Sequence, residues 1–155
     1  MFVATHVVMG ALIGQNVTTP ELSLPMGVAS HFMLDMVPHG DAKLWDEYKS
    51  GNSLVKSLVY TAVDAVAAVG IFIYLMETAP YASRATMIAG VIGAILPDFL
   101  VAVGEGMKTR PFLWFQRQHM RIHNVFASRL GDMTFRAGIF MQLIVLFAAL
   151  YVVKR

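Results

Sequence analysis

Residues 134–155 read TFRAGIFMQLIVLFAALYVVKR, an almost unbroken apolar run that ends in two basic residues. A bilayer's hydrocarbon core is about 30 Å thick and is crossed by about 20 residues of helix. Inside it every backbone N–H and C=O must be paired within the segment, which makes a helix the natural form of such a run. Two further segments meet the same length. SLVKSLVYTAVDAVAAVGIFIYLME at 53–77 has Lys56 near its start and Asp64 inside it, and ATMIAGVIGAILPDFLVAVGEGM at 85–107 spans if Pro97 and Asp98 are tolerated. The whole composition agrees: 57% of residues are hydrophobic and 14% charged, against about 45–50% and about 25% in a soluble domain.

The first forty residues hold two shorter apolar stretches, 2–17 and 24–37, broken at TTPELSLP, where Pro20 and Pro25 stop or start helices. They read as a helical hairpin, short or partly immersed. Residues 39–52 form a polar loop, and the basic and aromatic stretch at 108–133 reads as interfacial. The N-terminus lacks the basic start and cleavage site of a signal peptide. The expected fold is all-α, a single domain over 1–155 built as a polytopic membrane bundle of about five helices. Gly10 and Gly14 follow His6 at spacings of four, and Ala89, Gly90, Gly93 and Ala94 give the 85–107 segment a matching small surface, so these faces are expected to pack closely.

Alternating five segments across the bilayer puts the loops at 38–56 and 108–136 on the side of the N-terminus. Those loops hold Lys43, Lys49, Lys56, Lys108, Arg110, Arg117, Arg121, Arg129 and Arg136, against Arg84, Lys154 and Arg155 opposite. The positive-inside rule then places the N-terminus and both polar loops in the cytoplasm, at a bacterial-type inner membrane or its equivalent. The same topology brings His6, His31, Asp35, His39, Asp41, Asp98, His119 and His123 to one side, although none of them entered the charge count. Asp64 is the deepest, about 15 Å from the start of its helix.

That convergence points to a metal. His31 and Asp35 are four apart, as are His119 and His123, and on a helix such pairs project from one face toward a common ion. Ionised carboxylates within a membrane segment cost at least about 2.5–3.5 kcal/mol at its centre, a cost that a neighbouring divalent cation would offset for Asp64 and Asp98. The expected metal set is His6, His31, Asp35, His39, Asp64, Asp98, His119 and His123. No cysteine is present, so thiolate sites and disulfides are excluded, and His/Asp ligation suits zinc first and manganese second, as one or two ions. The run RPFLWFQRQHMRIH offers guanidinium groups that either anchor a helix on anionic lipid or clamp phosphate oxygens. Its basic residues are few and lie beside apolar anchors, which argues against nucleic acid as a partner. Neither a nucleophile elbow nor a phosphate-binding glycine loop occurs in the sequence.

An N-terminal T-H-x-x-x-G (Thr5, His6, Gly10), the central His31-x-x-x-Asp35, the Leu96-Pro97-Asp98 triplet and the late His119-x-x-x-His123 together resemble the YdjM-type membrane-bound metal-dependent hydrolases. The segment HFMLDMVPH is also similar, over about a dozen residues, to a stretch of zinc-dependent phospholipase C and the related single-strand-specific nucleases. In those helical enzymes His and Asp hold zinc ions that cleave phosphodiesters, and an N-terminal tryptophan is a ligand; here Met1 and Phe2 stand in its place. The resemblance implies His31 and Asp35 as ligands, with His6, Asp98, His119 and His123 as further ones.

The expected function is a membrane-bound hydrolase of a phospholipid or other membrane-borne phosphoester, with the lipid bilayer as its setting. Asp35 or Asp41 would take a proton from water, and Arg117 or Arg121 would neutralise charge on the phosphate. Two other readings stay open. A cation or proton transporter would line a path with Asp64 and Asp98, and so short a chain would need a homo-oligomer for it. A membrane scaffold with a structural metal would use the same ligands without any coordination position open to water.

Overall fold

The computed structural model describes residues 1–40, 50–51, 54–80 and 83–153. Among them are seven helices and no strand: α1 (Val3–Asn16), α2 (Pro20–Asp35), α3 (Leu54–Thr78), α4 (Arg84–Met107), α5 (Arg110–His123), α6 (Ala127–Leu130) and α7 (Phe135–Val153). Three of them, α3, α4 and α7, are long and apolar enough to cross a membrane. Helices α1 and α2, with 14 and 16 residues, reach about 21 and 24 Å, too short for a full crossing of about 30 Å. The chain is a membrane-integral helical protein in which the short hairpin α1–α2 lies against the spanning helices.

The count exceeds the expected five because the stretch at 108–133 is itself helical. Lys108 adopts a left-handed conformation (φ 51°) and returns its N–H to the Gly104 carbonyl, closing α4. Pro111 then opens α5 in the first turn, where its missing N–H costs nothing. The second departure is at Pro25, which sits inside α2 instead of breaking the chain. Proline there removes a donor for the Glu21 carbonyl, but both residues are exposed, so water or headgroups can serve that oxygen.

Helix α1 is the hub, packing on α2, α3, α4 and α7, while α3 and α4 hardly meet each other. The expected close packing is present. A Cβ at Gly10 would lie 2.5 Å from the Gly90 carbonyl oxygen, and one at Gly14 would lie 2.5 Å from that of Thr86. Gly27 of α2 meets the same ridge at Gly90 and Ala94. Backbone-to-backbone approach of this kind is the usual cohesion of helices in lipid, where burial of apolar surface gives little advantage. It presses the second half of α1 and the middle of α2 against the first half of α4, and the polar residues gather just beyond these contacts, at the start of α1, the end of α2 and the middle of α4.

Candidate metal centre

His31 lies one turn before the end of α2 and is fully buried. Its Nδ1 is 2.8 Å from the Ala94 carbonyl oxygen, just before Pro97 of α4. A carbonyl only accepts, so Nδ1 carries the proton and, in the neutral ring, Nε2 presents a lone pair. Around Nε2 stand Asp35 Oδ2 at 3.1 Å, Asp98 Oδ1 at 3.6 Å and His119 Nε2 at 3.0 Å. His119 Nε2 is itself 3.6 Å from Asp35 Oδ2 and 3.5 Å from Asp98 Oδ1. One proton on that nitrogen can serve only one of these three acceptors. Asp35 Oδ2 is buried and lacks a hydrogen-bond donor, a condition that costs about 1–3 kcal/mol or more for a charged group.

The donor set therefore fits a cation. Ligand atoms of His6, His31, Asp35 and Asp98 lie within 4.8 Å of one another, from three different helices, and His119 closes the group from α5. His6 reaches Asp35 Oδ1 with Nε2 at 3.1 Å and stacks on His31 with ring centroids 4.2 Å apart. A second group, again within 4.8 Å, joins Asp35 to His39 and His123. His39 Nδ1 donates to the Val37 carbonyl at 2.6 Å, which leaves its Nε2 as the coordinating atom. Asp35 belongs to both groups and is their common member.

The charge states suit ligation. Burial pulls the His119 imidazole down to about 4, although Asp98 draws it upward, and burial lowers His6 as well. Both rings are neutral near pH 7 and have lone pairs to offer. Burial would raise the Asp35 carboxyl, but the N-terminal ammonium of Met1, 2.7 Å from Oδ1, and the hydrogen bond from His6 outweigh it and hold Asp35 well below the usual carboxylate range.

Three expected roles change. Asp64 does not join either group: its two carboxylate oxygens accept from Val3 N at 2.6 Å and Ala4 N at 3.1 Å. Helix α1 is preceded by Phe2, which offers no side-chain cap, so Asp64 of α3 supplies the missing acceptors for its first N–H groups. Arg117 and Arg121 are exposed, and Arg121 bonds Gln118. Each is two residues from buried His119, about 200° around the helix, so they stand on the face turned away from the ligands. With Arg110 and Trp114 they form one stripe. Asp35 is too deeply buried to exchange protons with a substrate; Asp98, 34% exposed, is the carboxylate on the open side. Asp41 lies outside the described residues.

The structure adds residues that motif reading passed over. Gln142, buried in α7, donates to the His39 carbonyl at 3.1 Å and accepts from Phe2 N at 2.6 Å. Gly138 of α7 lets the His39 backbone approach directly, and Asp132 Oδ1 accepts from Gly40 N at 2.9 Å. These contacts fix the turn that carries His39. A lone glutamine inside an apolar run was the available signal for the first; nothing near Asp132 marked the last. Compared with known family models, curated proteins and solved structures, the chain matches none, so the geometry of the centre bears the functional argument.

Proposed function

We propose that this protein is a membrane-bound, metal-dependent hydrolase acting on a membrane-borne phosphoester. The observation behind it is the convergence of His31, Asp35, Asp98 and His119 around a buried carboxylate oxygen, Asp35 Oδ2, that no proton satisfies. His6, His31, Asp35 and Asp98, with His119, would hold one ion, zinc or manganese, and a second would share Asp35 with His39 and His123. Such ions supply Lewis acidity, making water a nucleophile near neutral pH and polarising a phosphoryl oxygen. The protein's own part is to keep the imidazoles neutral, to orient His31 through the Ala94 carbonyl, and to leave Asp98 facing the open side, where it can accept a proton. The resemblance to the YdjM-type hydrolases points the same way. The positive-inside pattern of the sequence supports a cytoplasmic position for the centre.

The test is turnover of bis(p-nitrophenyl) phosphate by purified protein loaded with zinc or manganese. Hydrolysis that a chelator stops, that metal restores, and that His31→Ala removes supports the reading. Full metal occupancy without turnover of any phosphoester would leave the structural-metal scaffold in its place.

A further inference from the structure

A cavity of about 640 Å³ lies between the first half of α3 and the second half of α4, closed at its base by Met1, Phe2, Val3 and Gln142. Building on the hydrolase reading above, we propose that this cleft is a lateral portal from the bilayer, which takes the alkyl chain of a lipid phosphoester while its head reaches Asp98.

Four observations converge on a chain-bearing ligand. Both walls are membrane-spanning helices that pack on α1 and hardly on each other, so the gap between them faces hydrocarbon. Its lining is mainly apolar, with Leu58, Ala65, Ile95, Phe99 and Ala102 along the walls. Phe99 and Leu58 stand well exposed there, and an apolar cleft of this size, within the usual range of about 300–1,000 Å³ for ligand sites, favours apolar occupants. The lining positions run from Ser57 to Ala65 and from Ile95 to Glu105, about 12–15 Å along the helix axes, which is close to the depth of one hydrocarbon leaflet. Finally, Asp98 lines the cleft and also belongs to the metal group, whose other members His6, His31 and Asp35 are sealed from solvent. The cleft is the open side of that group. A water-soluble phosphoester would gain nothing from such walls, whereas a lipid arrives by diffusion in the plane of the membrane.

The experiment uses the full chain in vesicles of phosphatidylethanolamine and phosphatidylglycerol doped with a phospholipid that has a diazirine in its acyl chain. Adducts are mapped after irradiation, and Ala65→Trp and Ala102→Trp fill the cleft from exposed positions without entering the core. Adducts are expected to concentrate on Leu58, Phe99 and Ala102, above the level at the lipid-facing Phe140 and Phe147 of α7. Both tryptophan variants should lose that excess and lose long-chain turnover, while bound metal stays at the wild-type level. Uniform labelling, or long-chain turnover untouched by both variants, overturns the portal. If the wild-type protein hydrolyses neither the long-chain lipid nor bis(p-nitrophenyl) phosphate, the hydrolase reading fails by itself, and the adduct pattern still decides whether the cleft takes a chain.

Discussion

Replacing Asp64 separates a capping role from a metal or transport role. In Asp64→Ala two N–H groups of α1, those of Val3 and Ala4, lose their acceptors at 2.6 and 3.1 Å. A buried unsatisfied donor costs about 1–3 kcal/mol, and loss of an N-cap side chain costs about 0.5–2 kcal/mol. Asp64 also lines the cleft, so water admitted to the space left behind can serve one of the two groups. The expected destabilisation is then about 2 kcal/mol, near the lower end of two such losses. Asp64→Asn keeps one oxygen and should cost about half as much. Reversible unfolding in mixed micelles, followed by far-UV circular dichroism, reads both values, with elemental analysis of the same samples. If Asp64→Ala leaves stability unchanged and removes the metal, Asp64 is a ligand and not a cap. Loss of proton or metal flux in Asp64→Asn vesicles would instead support transport.

Further outcomes follow from the same geometry. Gly90→Ala drives a methyl into the Gly10 carbonyl and to 2.8 Å from Ser23 Oγ; an overpacking cost of about 1–3 kcal/mol should loosen α1 from α4 and lower metal retention, read by thermal unfolding and elemental analysis. In metal-stripped protein, His119 titrates at about 4, held down mainly by burial, while an unfolded imidazole titrates near about 6.5. Between these values the unfolded state binds a proton that the folded state does not, so stability should fall as pH drops through this window, and His119→Gln should flatten the dependence in urea titrations. Replacing Arg110, Arg117 and Arg121 together by Gln should reduce retention of phosphatidylglycerol relative to phosphatidylcholine, by about 1 kcal/mol per residue at most. Metal content should not change, and collapse of soluble-substrate turnover in this variant would return the arginines to the site.

Much of the fold was legible because it is set by length in lipid: α3, α4 and α7 are apolar runs, and each is a helix as read. The Gly10, Gly14 and Gly90 contacts were legible too, since only small residues permit that approach. Helix α5 was read only as an interfacial stretch and left out of the five because its mixed composition masks its bounds, although Arg110, Trp114, Arg117 and Arg121 at steps of four, three and four trace one face. The arginines were placed with His119 by nearness along the chain, where a helix instead sets residues two apart on opposite sides. For the centre, spacing within α2 gave His31 and Asp35, and topology gathered the partners from α1, α4 and α5. Which carboxylate binds and which caps depends on the distance between α3 and the start of α1, a tertiary quantity that no local pattern encodes.

On this geometry His31, Asp35, Asp98 and His119 would surround a cation. Elemental analysis of gently extracted protein, joined to anomalous diffraction at the metal's absorption edge, tests it most directly. The wild-type protein should hold at least one zinc or manganese per chain, with its anomalous peak between His31 Nε2 and Asp98 Oδ1, and His31→Ala should hold none. A metal-free protein, or a peak away from these side chains, would contradict that placement.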